Sequence, residues 1–175
     1  MFAPIGQDMP YWVIISEDPV GLLGGVNLYA YAGNNPILLI DPSGLIWEYS
    51  QSTGQLTYIN NQTGATTIVG TGYSGNGAGL NNPNMQDAPN VGPIPQGDWT
   101  IRPQQNNTTN SGHKLPASMR LTPQSGTNTF NRDGFLIHGD NDSGNQSASE
   151  GCVILNRNIR KRIGNSSDNT FRVVK

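Results

Sequence analysis

The apolar runs in this chain are short, and glycine, proline or asparagine punctuates the stretches between them. Ile46-Trp47-Glu48-Tyr49-Ser50-Gln51 and Gln55-Leu56-Thr57-Tyr58-Ile59-Asn60 flank Ser52-Thr53-Gly54, which reads as a β-hairpin with a glycine-containing loop. Thr66–Val69, Met119–Thr122 and Gly134–His138 read as further strands. Glycine tolerates the positive φ of tight turns and proline lacks a backbone donor, so such a chain cannot build long helices. With 22 Gly and 12 Pro in 175 residues, the expectation is a mainly β fold of one ordinary domain plus a small attached fragment. One or two short helices are expected, the best candidate being Asn156–Ile163.

Charge narrows the partners. Residues 1–45 carry Asp8, Glu17, Asp18 and Asp41 and no Lys or Arg, whereas all ten basic residues lie beyond 45. The second part is therefore mildly basic, which suits an anionic polymer and falls far short of the stripe a nucleic-acid binder carries. Arg157, Arg160, Lys161 and Arg162 on the candidate helix read as a solvated face or as a contact with phosphate or an anionic wall polymer. No membrane span is expected. Asp8 precedes the apolar run Trp12–Ile15 and no basic segment opens the chain, so a general secretion signal is not expected.

Chemistry concentrates in Phe135-Leu136-Ile137-His138-Gly139-Asp140 and Ser149-Glu150-Gly151-Cys152-Val153-Ile154-Leu155. Cys152 is the single cysteine, which rules out an internal disulfide and any multi-cysteine zinc site. A thiol beside glycine, with a histidine 14 residues upstream, can form a nucleophile and base. The backbone N–H of Cys152, with or without Gly151, is a candidate oxyanion donor. Ser149 can orient the imidazole through its hydroxyl or its carbonyl. Asp140 is either the third member of a triad or a turn residue in Gly-Asp-Asn-Asp. His113, in Ser111-Gly112-His113-Lys114, reads as a surface histidine. These motifs resemble the signature of the L,D-transpeptidases, cysteine enzymes of cell-wall peptidoglycan in which His-Gly precedes Ser/Thr-x-Gly-Cys. The order His then Cys agrees, since related wall peptidases of the papain type place the Cys first. The resemblance implies an L,D-transpeptidase-like β-sandwich or barrel.

Asp18-Pro19-Val20-Gly21-Leu22 recurs as Asp41-Pro42-Ser43-Gly44-Leu45, with Asn27-Leu28-Tyr29-Ala30-Tyr31 and Asn34-Asn35-Pro36 between. This segment, about residues 16–45, is similar to the C-terminal end of the Rhs core. That resemblance implies domains 1–45 and 46–175, and self-cleavage in a parent protein after Leu45, with Asp18 and Asp41 as the carboxylates.

Gly72-Tyr73-Ser74-Gly75, Asn82-Pro83-Asn84, Gly92-Pro93-Ile94-Pro95-Gln96-Gly97 and the His138 and Cys152 motifs together resemble the type VI secretion L,D-transpeptidase-like effectors, over roughly residues 47–174. A loop as long as 72–97 in a compact domain is usually functional. The resemblance implies a toxin that acts on peptidoglycan tetrapeptide stems in the target-cell periplasm, as L,D-carboxypeptidase or by D-amino acid exchange. The implied partners are a cognate immunity protein, the Rhs core and the secretion apparatus. No cofactor and no metal are called for. Tyr73 and Gly139 are candidate substrate contacts. Housekeeping relatives carry Arg two residues after the cysteine. Here that position is Ile154, which leaves Arg120 or Arg132 to hold a substrate carboxylate. The competing readings are a zinc amidase using His138, Asp140, His113 and Cys152, and a non-catalytic wall-binding module.

Overall fold

The computed structural model describes residues 2–4, 12–14, 45–60, 63–109 and 112–175. Strands β1 (Phe2–Pro4) and β2 (Trp12–Ile14) pair antiparallel as a separate ribbon. Asp18 and Asp41, and with them the segment similar to the Rhs core, lie outside the described residues. Leu45 immediately precedes the first strand of the main sheet.

That sheet contains β3 (Ile46–Ser50), β4 (Gln55–Asn60), β5 (Ala65–Thr71), β6 (Tyr73–Ser74), β7 (Gly97–Ile101), β8 (Gln105–Thr108), β9 (Lys114–Pro123), β10 (Leu136–His138), β11 (Val153–Ile154) and β12 (Thr170–Val174), and among the described residues it is accompanied by one α-helix, α1 (Arg157–Asn165). The order is β5-β4-β3-β12-β7-β9-β10-β11-β6, with β8 also on β9. The expected hairpin is β3–β4, with Gly54 at φ +67 in its loop. The ten residues of β9 pair with β7 through their C-terminal half and with β10 and β8 further back, so this one strand joins the two halves of the sandwich.

Alternation aims the core. Trp47 and Tyr49 on β3, Trp99 and Ile101 on β7, Met119 and Leu121 on β9, and Phe171 and Val173 on β12 are buried together. Two-residue spacing puts each pair on one face of its strand. Trp99 meets Phe135 edge-on at 4.9 Å, and its indole N–H donates to the Pro95 carbonyl at 3.2 Å. Rings of this size each remove roughly 150–250 Å² from water, a gain of a few kcal/mol before entropy is counted. Cross-strand Arg172 and Asp98 form an ion pair of 2.9 Å on β12 and β7.

The helix begins where Asn156 Oδ1 accepts from the Ile159 N–H at 3.0 Å, an N-cap. It buries Ile159, Arg160 and Ile163, one face at 3.6-residue spacing. The charged run is therefore split. Arg157, Lys161 and Arg162 are solvated, while Arg160 points inward. Among the described residues no helix is long and apolar enough to cross a membrane.

Candidate active site

Strand register brings the histidine and the cysteine to one surface. β10 and β11 run parallel, with Ile137 opposite Val153 and His138 opposite Ile154. Ile137 and Val153 are fully buried in the core, so the residues on either side of them face away from it. Leu136 and His138 thus share the outer face with Cys152, which directly precedes β11. Diagonal neighbours on one face stand about 7–8 Å apart at their backbones, within side-chain reach. On that face Tyr73 and Ile154 are paired and buried, outside the main core cluster.

His138 is nearly inaccessible, and its Nδ1 lies 2.7 Å from the Gly139 carbonyl oxygen. A carbonyl only accepts, so Nδ1 carries the proton and Nε2 is left as the base. Burial lowers the imidazole below its ordinary 6.5, and Arg160 adds to this, against the Gly139 bond and Asp140, which raise it. The ring is therefore neutral at pH 7. Burial pushes the Cys152 thiol from 9.0 up to about 11. The Leu136 N–H, Arg132 and Arg120 pull it down, and Glu150 raises it. The resting pair is thus thiol and neutral imidazole, with the thiol making a long contact of 3.9 Å to the Gly134 carbonyl.

The loop that carries Cys152 is fixed from several sides. Ser149 is fully buried, and its hydroxyl donates to the Cys152 carbonyl at 2.7 Å. The same oxygen accepts from the N–H groups of Gly75, 2.8 Å, and Gly151, 3.1 Å. Ser149 therefore shapes the cysteine turn and does not reach the imidazole through its hydroxyl. The Gly151 N–H is committed to Ser149, which leaves the Cys152 N–H as the candidate oxyanion donor. Gly151 sits at φ +128, and a Cβ there would lie 2.2 Å from an Arg132 terminal nitrogen.

Arg132 itself is spent. One terminal nitrogen donates to the carbonyls of Gln86, 2.6 Å, and Pro93, 2.7 Å; the other donates to Gly92, 2.8 Å, and Glu150, 3.2 Å. It ties the 72–97 loop to the cysteine turn and is no longer a good carboxylate ligand. Ser74 makes a second tie, accepting from the Ile94 N–H at 2.8 Å and donating to the Gly151 carbonyl at 3.2 Å. The long loop is thus an ordered wall.

Two more expected contacts have other duties. The Tyr73 hydroxyl donates to Asp140 Oδ1 at 2.5 Å and accepts from the Ala148 N–H at 3.2 Å, so it pins both ends of the 139–151 connection from a buried position. Asp140 is bound to Tyr73 and to the Asn141 N–H, while the imidazole's partner is the Gly139 carbonyl; the triad reading of Asp140 gives way to a backbone acceptor. Gly139 is a glycine because an added Cβ would lie 2.7 Å from Arg160. Arg160, unread as a site residue in the sequence, donates to the carbonyls of Leu155, Pro116 and Ala117. Its position on the face of Ile159 and Ile163 was the available signal. His113 is exposed, as expected, and among the described residues no three His, Cys, Asp or Glu side chains gather as a metal site.

Residues 69–174, more than half of the chain, match the Tlde1 domain model. The chain belongs to the Tlde1 domain family. This is a family of type VI secretion effectors. Over 70 residues the chain is 44% identical to the double-stranded DNA deaminase toxin A of Burkholderia cenocepacia, a match covering 37% of this chain and 4% of that protein. Over 31 residues it is 64% identical to the toxin protein Tse5 of Pseudomonas aeruginosa, covering 18% of this chain and 2% of that one. The chain thus spans only a few per cent of the length of these curated relatives. An L,D-transpeptidase from Stackebrandtia nassauensis superposes with a TM-score of 0.53 at 15% identity, over 78% of this chain and 57% of that one. The Tlde1 domain here therefore has the L,D-transpeptidase β-sandwich fold.

Proposed function

We propose that this Tlde1 domain is a cysteine L,D-carboxypeptidase and L,D-transpeptidase that acts on peptidoglycan tetrapeptide stems. The observation that carries the reading is the delivery of His138 and Cys152 to one face of β10 and β11, with Nδ1 tied to Gly139 so that Nε2 is the base. In the reaction Nε2 takes the thiol proton as the sulfur attacks the carbonyl of the penultimate residue. The Cys152 N–H stabilises the oxyanion. Collapse expels the terminal D-alanine amine, which receives the proton from the imidazolium, and leaves a thioester. Water then gives hydrolysis, or the amine of a D-amino acid gives exchange; in either case His138 takes a proton from the attacking group and returns it to sulfur. A neutral resting pair suits this cycle, because the base is unprotonated when substrate arrives.

The effector family supports delivery by the type VI apparatus, action in the target-cell periplasm and protection by a cognate immunity protein. In the same reading residues 1–45 close an Rhs-like core, with cleavage after Leu45 in the parent. The deaminase relative suggests a second activity, but zinc deaminases need at least two cysteine ligands and this chain has one.

Incubating the protein with disaccharide tetrapeptide, with and without D-methionine, and reading products by mass tests the proposal. Loss of one alanine residue, or its replacement by methionine, is the expected result, and both products should vanish in Cys152→Ala. A Cys152→Ala protein that still converts the stem would exclude the thiol mechanism.

A further inference from the structure

Two guanidinium groups act on the Cys152 thiol, and their situations differ. Arg132 has both terminal nitrogens bound to backbone carbonyls. Arg120 is exposed, and among the described residues its side chain has no hydrogen bond or ion pair. Its backbone is nevertheless held, because its carbonyl accepts from the Arg102 N–H at 2.8 Å and it sits opposite Leu136 in the β9–β10 ladder. Its neighbour Met119 is fully buried opposite Ile137, so Arg120 faces outward with Leu136, His138 and Cys152. Arg120 on β9, Leu136 on β10 and Cys152, the residue that leads into β11, form a row across the sheet. Neighbouring strands stand about 4.8 Å apart, which puts the ends of that row about 10 Å apart at their backbones. An arginine side chain spans much of that distance.

A cation so placed needs an anion, and the chemistry at the sulfur says where one arrives. When the scissile carbonyl lies on Sγ, the carboxylate of a terminal residue stands only two bonds beyond the scissile nitrogen. A peptide that continues past that residue brings a neutral amide to the same point.

Resting on the reading of Cys152 as nucleophile, we propose that Arg120 binds the terminal carboxylate of the leaving residue and, in exchange, that of the incoming amino acid. The acceptor amine enters along the path by which the leaving amine departs, so one contact screens both. The domain is then an exo-acting enzyme. It trims or exchanges free stem ends and leaves alone any bond whose leaving group lacks a carboxylate. Arginine suits this role because its planar fork matches a carboxylate with two parallel hydrogen bonds.

The test compares the full chain with Arg120→Gln and Arg120→Lys on two donors, the disaccharide tetrapeptide and its C-terminal carboxamide, and on two acceptors, D-methionine and D-methioninamide. A charge-assisted contact of this kind corresponds to roughly 10- to 100-fold in kcat/KM. The wild type should favour the acid over the amide by about that ratio for donor and acceptor alike. Arg120→Gln should bring both ratios close to one by slowing the acids, and Arg120→Lys should lie between. Unchanged circular dichroism in the variants ties the loss to the contact. An Arg120→Gln enzyme that keeps the wild-type ratios, or a wild type that does not distinguish acid from amide, overturns the assignment while leaving the thiol mechanism standing. Failure of the wild type on both donors removes the reading of Cys152, and this inference with it.

Discussion

Replacing Gly151 by alanine should damage this protein far more than the same change at Gly144, although both glycines lie in the connection between β10 and β11 and both have positive φ. Gly144 has φ +57 and open space where a Cβ would go. Alanine there meets only the left-handed backbone penalty, about 1 kcal/mol. Gly151 has φ +128, and its Cβ would lie 2.2 Å from an Arg132 nitrogen and 3.2 Å from the Phe135 ring. The guanidinium cannot swing aside cheaply, because its terminal nitrogens hold four carbonyls. Backbone strain costs about 1–3 kcal/mol. Displacing the nitrogen that bridges Gly92 and Glu150 adds about 1–2 kcal/mol, discounted because Arg132 is partly exposed and water can replace part of what is lost. The expected cost is about 2–5 kcal/mol for Gly151→Ala against about 1 for Gly144→Ala. Urea unfolding of both variants, followed by tryptophan fluorescence, measures the difference directly. Midpoints that place the two within about 0.5 kcal/mol of each other would refute the argument that Arg132 is locked over Gly151.

Burial holds His138 below 6.5 and pushes Cys152 up to about 11, so kcat/KM should stay level from neutral pH into the alkaline range and fall only below 6.5. The unfolded histidine takes up its proton near 6.5 while the folded one does not, so the stability present above 6.5 should decline as pH falls toward the folded-state value; an activity limb centred above 6.5 would contradict this. Tyr73→Phe removes the hydroxyl that joins Asp140 to the Ala148 N–H, at an expected cost of about 1–2 kcal/mol with faster amide exchange at Ala148; unchanged exchange there would show that the tyrosine does not pin the connection.

The sequence carried the β-rich architecture through its turn residues, and through their glycine neighbours it marked His138 and Cys152, which the fold brings to one face. Glycine beside a reactive side chain reflects close backbone approach, and both Gly139 and Gly151 meet an arginine where their Cβ would be. What stayed hidden depends on backbone acceptors. The partner of His138 is the Gly139 carbonyl, not the carboxylate next in sequence, because every residue supplies a carbonyl and no pattern marks the one in use. The same reason makes Arg132, beside Arg120, a candidate substrate ligand by sequence: its four acceptors come from residues 86, 92, 93 and 150, far apart in the chain. Strand β12 escaped as well. It is short and carries Arg172 amid its apolar residues, and its parallel pairing with β3 joins residues more than a hundred positions apart.

The parallel pairing of β10 and β11 obliges the chain to leave one strand, cross over and re-enter beside it in the same direction. His138 and Cys152 therefore sit on opposite sides of a crossover whose middle, residues 141–147, is solvent-exposed. Opened at Gly144, the chain would divide into one piece holding His138 and another holding Cys152. The severed piece would contribute β11, α1 and β12, the last of which lies between β3 and β7 at the heart of the sheet. The fold thus divides at Gly144 into two segments that share one sheet, and neither segment alone holds both His138 and Cys152.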